Sequence, residues 1–145
     1  MLIDFTICGE PAGKGRPRFR RMGNYVSTYT DAKTTSYENL VKLEYKNQCG
    51  NKYFEPNKPL IAAIYCYFSR PKNIPKKKLH LYDEDKIFPT KKPDTDNIAK
   101  IILDSLNKVA FDDDKQVIVL KVVKKFAKEQ PHVRVIITDE FGLPL

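Results

Sequence analysis

The chain reads as a single α+β domain, residues 1–145, with a mixed β-sheet carrying two packed helices in the order β-β-α-β-α-β-β. Three observations carry that reading. Leu2–Cys8, Leu60–Phe68, Gln116–Phe126 and His132–Thr138 are rich in β-branched and aromatic residues and read as strands. Two stretches with apolar residues at helical spacing lie between them. No linker or repeat divides the 145 residues, a length suited to one core. Strands and helices so mixed fit helices packed on a sheet.

In chain order, Leu2–Cys8 alternates loosely and stops at Gly9. The next stretch, Glu10–Arg21, holds five basic residues from Lys14 onward and no acid after Glu10. Gly13, Gly15 and Pro17 keep it out of a helix, so it reads as an exposed loop able to lie along a phosphate backbone. Its spacing is not that of a Walker A loop. Asn24–Tyr29 reads as a second short strand. Thr35-Ser36-Tyr37-Glu38 has the form of a capping box. The helix behind it carries Tyr37, Leu40, Val41 and Glu44 on one side and should end near Cys49, before Gly50. Its tyrosines read as packing residues rather than base-stacking ones.

Leu60–Phe68 is almost continuously apolar, as in a central strand. Residues 70–92 follow, with Pro71, Pro75, Pro89, the run Lys76-Lys77-Lys78, and eight basic residues against three acids. That composition predicts a long, mobile, basic loop able to clamp DNA. The second helix should run from a cap at Asp94 or Thr95 to about Val109, burying Ile98, Ile101, Ile102 and Leu106. Asp96, Lys100 and Asp104, four apart in turn, share its other face. After Asp112-Asp113-Asp114 the chain becomes strand again to Phe126, turns at Lys128–Pro131, and ends on His132–Thr138.

The formal charge is +8, from 26 Lys+Arg against 18 Asp+Glu, which favours a polyanionic partner. Cys8, Cys49 and Cys66 show no C-x-x-C spacing and read as buried, reduced thiols. No apolar run approaches the roughly 18 residues of a membrane span, and Met1-Leu2-Ile3 passes straight to Asp4 without a signal peptide's pattern. The expected location is the cytoplasm, with no membrane partner.

The chemistry concentrates in Pro93-Asp94-Thr95-Asp96-Asn97-Ile98-Ala99-Lys100 and in Asp112–Gln116. Each part has a plain structural reading: Asp94 or Asp96 as a helix cap, the acidic triplet as a turn, Lys100 as a surface partner at i,i+4. Together they say more. One helix start needs one cap, and crowded carboxylates from two elements are usually compensated by a hard divalent cation such as Mg²⁺, which also bridges phosphates. No Ser/His/Asp or Cys/His nucleophile pattern is evident. His80 has no metal-spaced partner, and His132 is a weak candidate for a base.

The series Lys92-Pro93-Asp94-x-Asp96-Asn97-x-x-Lys100, then Ile102-Leu103-Asp104-x-Leu106-Asn107, then Asp113-Asp114-x-Gln116, with Gly13-Lys14-Gly15-Arg16-Pro17-Arg18 upstream, resembles the RusA-type Holliday junction resolvases. The resemblance runs from about Ile7 to about Val123. It implies that Asp94, Asp96 and Asp114 ligate Mg²⁺, for which Mn²⁺ can substitute. Asp114 is the second acid of the Asp-Asp-x-Gln pattern; the preceding Asp112 leaves Asp113 as a fallback. Lys100 matches the catalytic lysine. Arg16 and Arg18, with Lys14 behind them, are the DNA contacts expected from the N-terminal arm, and Lys76, Lys77 and Lys78 those expected from the loop. The implied activity is paired phosphodiester hydrolysis at branched DNA, a four-way junction, by a twofold homodimer. A non-catalytic nucleic-acid-binding protein and a Mg²⁺-dependent nucleotide hydrolase are the alternatives.

Overall fold

The structure, a computed structural model, describes residues 1–145. Four strands form the main sheet: β1 (Leu2–Cys8), β4 (Leu60–Phe68), β5 (Val117–Phe126) and β6 (His132–Thr138), in the order β1-β6-β4-β5. β6 pairs antiparallel with both β1 and β4, and β4 pairs parallel with β5. The expected mixed sheet is therefore present. Its register explains the core. Phe5, Val135 and Ile64 lie opposite one another across three strands, as do Ile7, Val133 and Cys66. Because strand side chains alternate faces, these rows form one apolar face, fully buried under helices α1 (Ala32–Cys49) and α3 (Thr95–Leu106). The opposite face is polar enough for water: Arg134 grips Asp4 with two hydrogen bonds of 2.6 and 3.0 Å, and the Lys121 ammonium lies 5.5 Å from the Tyr65 ring centre.

α1 packs on β1 and α3. It starts three residues before the expected capping box. Asp31 is its cap, accepting from the Thr34 N–H at 2.8 Å. The stop came as expected, with the Gly50 N–H bonded to Lys46 O after Cys49. Tyr45 is buried edge-on to Phe5, and Tyr37 is largely buried too, so these tyrosines are packing residues. Cys49 and Cys66 are buried thiols, and burial pushes Cys66 up to about 12. Cys8, against expectation, is exposed, because the last residue of β1 faces outward.

Two segments depart from the sequence reading. Arg18–Met22 is a strand, β2, not loop; it pairs antiparallel with β3 (Tyr25–Tyr29) as a separate two-stranded ribbon. Met22 faces Tyr25 in the register, so Gly23-Asn24 is the two-residue loop that fixes the hairpin. Residues 70–92 are not structureless. They contain a 3₁₀ turn at Lys76–Lys78 and a short helix, α2 (Leu79–Asp83). Tyr82 of α2 is buried against Phe126, their ring centres 5.1 Å apart. Arg70 holds the far side, donating to Ala127 O and to Asp83. The apolar anchor Tyr82 is what the proline and lysine content obscured. No helix is long and apolar enough to cross a membrane.

Candidate active site

α3 begins at Thr95 with Asp94 in the cap position, directly after the cis Lys92–Pro93 peptide. Asp94 does not use its carboxylate as a cap: the side chain accepts nothing from the helix. Asp96, in the first turn, likewise has no hydrogen bond or ion pair, and both are exposed. The capping reading therefore fails for both, and two unengaged carboxylates stand at one helix start. The buried side of α3 is the expected one, with Ile98, Ile101, Ile102 and Leu106 fully buried.

Further along, Asp104 gathers charge. The ammoniums of Lys100 and Lys14 each lie 3.4 Å from its Oδ2. Lys14 also pairs with Glu38 of α1 at 3.0 Å. Burial pulls the Lys14 ammonium down, but the Glu38 hydrogen bond and the charges of Glu38 and Asp104 outweigh it, and its pKa is raised. Lys14 thus ties α1 to α3; the sequence had offered it as a phosphate contact. Lys100 remains mostly exposed.

The arm that brings Lys14 here is seated by backbone. The Lys14 N–H donates to Asn97 O at 3.0 Å, and the Gly15 N–H to Thr34 Oγ1 at 3.1 Å. Both glycines are needed for close approach. A Cβ on Gly13 would sit 2.9 Å from Pro93 Cβ, and one on Gly15 would sit 2.5 Å from Asp31 Oδ2. Between this arm and the start of α3 lies an open cleft of about 540 Å³, lined by Gly13, Lys14, Arg16, Lys92, Pro93, Asp94 and Asn97. A mostly polar cleft with Arg16 and Lys92 on its wall, and Lys14 behind them, suits a phosphate.

α3 stops at Leu106, three residues sooner than expected. Asn107 leaves the helix and Lys108 takes a left-handed conformation, φ 63°. The chain then doubles back, pairing Asn107 with Phe111, and returns the acidic triplet toward α3. The three acids have different partners. Asp112 pairs with Lys108. Asp113 caps the 3₁₀ turn Asp114–Gln116, accepting from the Lys115 N–H at 2.9 Å. Asp114 has its N–H held by Asn107 Oδ1 at 2.8 Å, leaving its carboxyl turned toward Asp113 and Asp104. Burial, then hydrogen bonding to Asp113 and the charge of Asp104, raise the Asp114 pKa; the Lys115 N–H and its other neighbours lower that of Asp113.

A raised carboxyl pKa means the folded state holds that proton more tightly than the unfolded chain. Its stabilisation is complete below the unfolded pKa and lost as pH rises through the folded one. At neutral pH the ionised Asp114 therefore costs stability. In EDTA, Asp114→Asn should melt higher than wild type at pH 7, and the gap should close as pH falls toward 3.8. Differential scanning calorimetry across pH measures it; a variant that melts lower at pH 7 would contradict the crowding seen here.

The motif alone assigns Gln116 no role. It is buried, its Oε1 accepting from the N–H groups of Asp112 and Asp113 while its Nε2 donates to Glu55 O and Lys58 O. This amide fixes the acidic loop to the turn before β4. Gln116→Leu would strand two donors and two acceptors, at a cost of about 2 kcal/mol or more, visible as a fall in Tm of several degrees. The Lys100–Asp104 pairing is the one the i,i+4 spacing predicts, whereas the partnerships of Lys14 with Glu38 and Asp104 and of Asp114 with Asn107 were missed. The only sequence signal for the missed ones was the place of Asn107 in the motif.

Of the other expected residues, Arg16 lines the cleft and is exposed, Arg18 is exposed at the root of the ribbon, and Lys76–Lys78 form an exposed turn that does not line the cleft. His132 stacks on Tyr67, ring centres 4.4 Å apart, with Nδ1 2.9 Å from Gln130 O; no contact joins it to the acids. No three Asp, Glu, His or Cys side chains are drawn into one metal-holding group. The donor chemistry nonetheless fits a hard cation: two free carboxylates, and a third whose crowding with Asp104 a positive charge would relieve.

Residues 9–138 match the protein family described as Endodeoxyribonuclease RusA. The chain is also 34% identical over 139 residues to the uncharacterized protein YqaN of Bacillus subtilis (strain 168), an alignment covering 94% of this chain and 96% of that protein. The free acids at the start of α3, the lysine one turn on and the returning acidic loop all fall inside the matched span, and the chain belongs to the RusA endodeoxyribonuclease family, hydrolases that act on DNA.

Proposed function

We propose that this protein resolves four-way DNA junctions in recombination and repair, cutting paired strands by Mg²⁺-dependent phosphodiester hydrolysis, with Mn²⁺ able to substitute. The observation that carries the proposal is the cleft beside α3, where the unengaged carboxylate of Asp94 stands among Lys14, Arg16 and Lys92. Arg16 and Lys92 would hold the DNA backbone there, with Lys14, tied to Glu38 and Asp104, behind them, and Asp94, Asp96 and Asp114 would hold the metal. When bound, the ion supplies an acidified water and positive charge at the phosphate. Lys100, exposed and loosely paired at 3.4 Å with Asp104, can swing to the phosphate and stabilise charge that grows there. Gln116 and Asn107 keep Asp114 aimed at α3. Lys76–Lys78, exposed on the segment between Arg70 and Lys92, would clamp a second stretch of backbone.

Two symmetric cuts call for two sites, and a twofold dimer is the simplest source. β5 supports that reading: it is an edge strand with Ile118, Val119 and Leu120 exposed in succession, a surface that soluble monomers rarely leave bare. The proposed location is the cytoplasm.

The test is incubation of purified protein with labelled four-way, flap and linear DNA, in Mg²⁺, Mn²⁺, Ca²⁺ and EDTA. Junction strands should be nicked in Mg²⁺ or Mn²⁺ and not in EDTA. Ca²⁺ should support binding far better than cutting, because its looser coordination places water poorly. Equal cutting in EDTA would remove the metal from the proposal.

A further inference from the structure

The β2–β3 ribbon has no face to bury. Nine of its ten strand residues are exposed and none is buried, although Phe19, Tyr25, Val26 and Tyr29 are large and apolar. An isolated two-stranded hairpin is marginal in water, so these residues await a partner. The partner's charge is defined: between Gly15 and Thr30 there are four arginines and no acid. Its approach is also defined, because the root before β2 lines the active-site cleft and the root after β3 runs straight into α1 beside it. Gly15 packs on Asp31 and Thr34 at the start of α1, and Lys14 bonds to Asn97 of α3.

The register sorts the side chains by face. Arg18, Arg20, Tyr25 and Tyr29 share one face, with the Arg20 guanidinium 5.2 Å from the Tyr29 ring centre; Phe19 and Arg21 lie on the other. A ribbon that docked flat would need aromatics on one face. Aromatic and cationic groups on both faces suit a blade with nucleic acid on either side.

We propose that the β2–β3 ribbon enters the branch point of a DNA junction, stacking Phe19 on one side and Tyr25 and Tyr29 on the other against bases unstacked there, with the arginines on the flanking phosphates. The inference rests on the junction-nuclease reading above and adds to it the element that tells a branch from plain duplex. Aromatic side chains stack on any base face without regard to sequence, and Arg adds phosphate and cation–π contacts. Bases at a branch are the least costly to unstack, whereas a continuous duplex offers the blade no opening.

The experiment uses the full chain in Ca²⁺, a four-way junction with 2-aminopurine beside the branch, and a linear duplex of the same sequence. Wild type should raise 2-aminopurine fluorescence and prefer the junction. Two variants are compared: Phe19→Ala/Tyr25→Ala/Tyr29→Ala, and an isoleucine set at the same positions, which keeps bulk and strand propensity. Both should lose the fluorescence rise and at least tenfold of junction-over-duplex preference, since each stacked base is worth on the order of tenfold. Duplex binding should hold in both. Retention of the preference by either variant overturns the inference, the isoleucine result meaning apolar contact without stacking. So does wild-type binding without a fluorescence rise. A wild-type protein that binds neither DNA removes the nuclease reading and this inference together.

Discussion

Asp96→Asn should abolish cutting yet bind a four-way junction in EDTA at least as tightly as wild type. The substitution preserves shape and removes one negative charge. In the proposed site, without a cation, Asp94, Asp96 and Asp114 would all repel a scissile phosphate, itself negative. Like charges at such range repel by about 1 kcal/mol or more even at an effective dielectric of about 20. Removing one carboxylate should therefore help binding while it would take a ligand from the proposed metal. Asp96 makes no hydrogen bond or ion pair, so its loss should leave folding intact. Asp94→Asn and Asp114→Asn should behave alike. Asp112→Asn should cut almost normally, because its carboxylate is engaged by Lys108 on the far side of the turn. Gel-shift titration in EDTA and cleavage in Mg²⁺, run on the same preparations, measure both halves. An Asp96 variant that still cuts, or that loses binding while its melting stays normal, would show that these carboxylates do not hold the metal.

Lys100→Met should fold, bind the junction, and cut more slowly by on the order of 10²–10³. The lysine lies four residues beyond Asp96, mostly exposed, with only Asp104 as a partner. Exposed pairs at this spacing contribute little to stability, and Asp104 keeps Lys14 after the substitution. What disappears is a cation that can meet charge developing on the phosphate. Single-turnover kinetics isolate that step, and a rate within about threefold of wild type would return Lys100 to an ordinary place on the helix surface.

The sequence disclosed the sheet because its strands are long and apolar, and α3 because its buried stripe is nearly unbroken. Helix ends were less legible. The start of α1 was hidden because two capping patterns compete within a few residues, and the helix took Asp31–Thr34 over Thr35–Glu38. The end of α3 came early because Asn107 and Lys108 begin a return loop that closes locally on Phe111. Arg18–Met22 escaped notice because three arginines in five residues look like loop, while the Gly23-Asn24 signal lay just beyond them. At the site, local spacing placed Asp94, Asp96 and Lys100 on one helix start. It could not distinguish Asp112, Asp113 and Asp114, whose different duties depend on Lys108, Asn107 and Asp104 across the fold. Lys14 was visible as a charge, but its commitment to Glu38 and Asp104 required two helices to be brought together.

β6, the last strand of the chain, lies between β1, the first, and β4. During translation, every residue of the proposed catalytic set leaves the ribosome before the strand that joins the sheet. Until residues 132–138 have been made, β1 has no partner and α1 and α3 have no continuous surface to pack on. Pairings this distant in sequence form slowly and late. The growing polypeptide is therefore a chain with acids but without a centre, and the site should form only once β6 has been added. A ribosome stalled after β5 would release a protease-sensitive fragment with no assembled sheet rather than a folded nuclease.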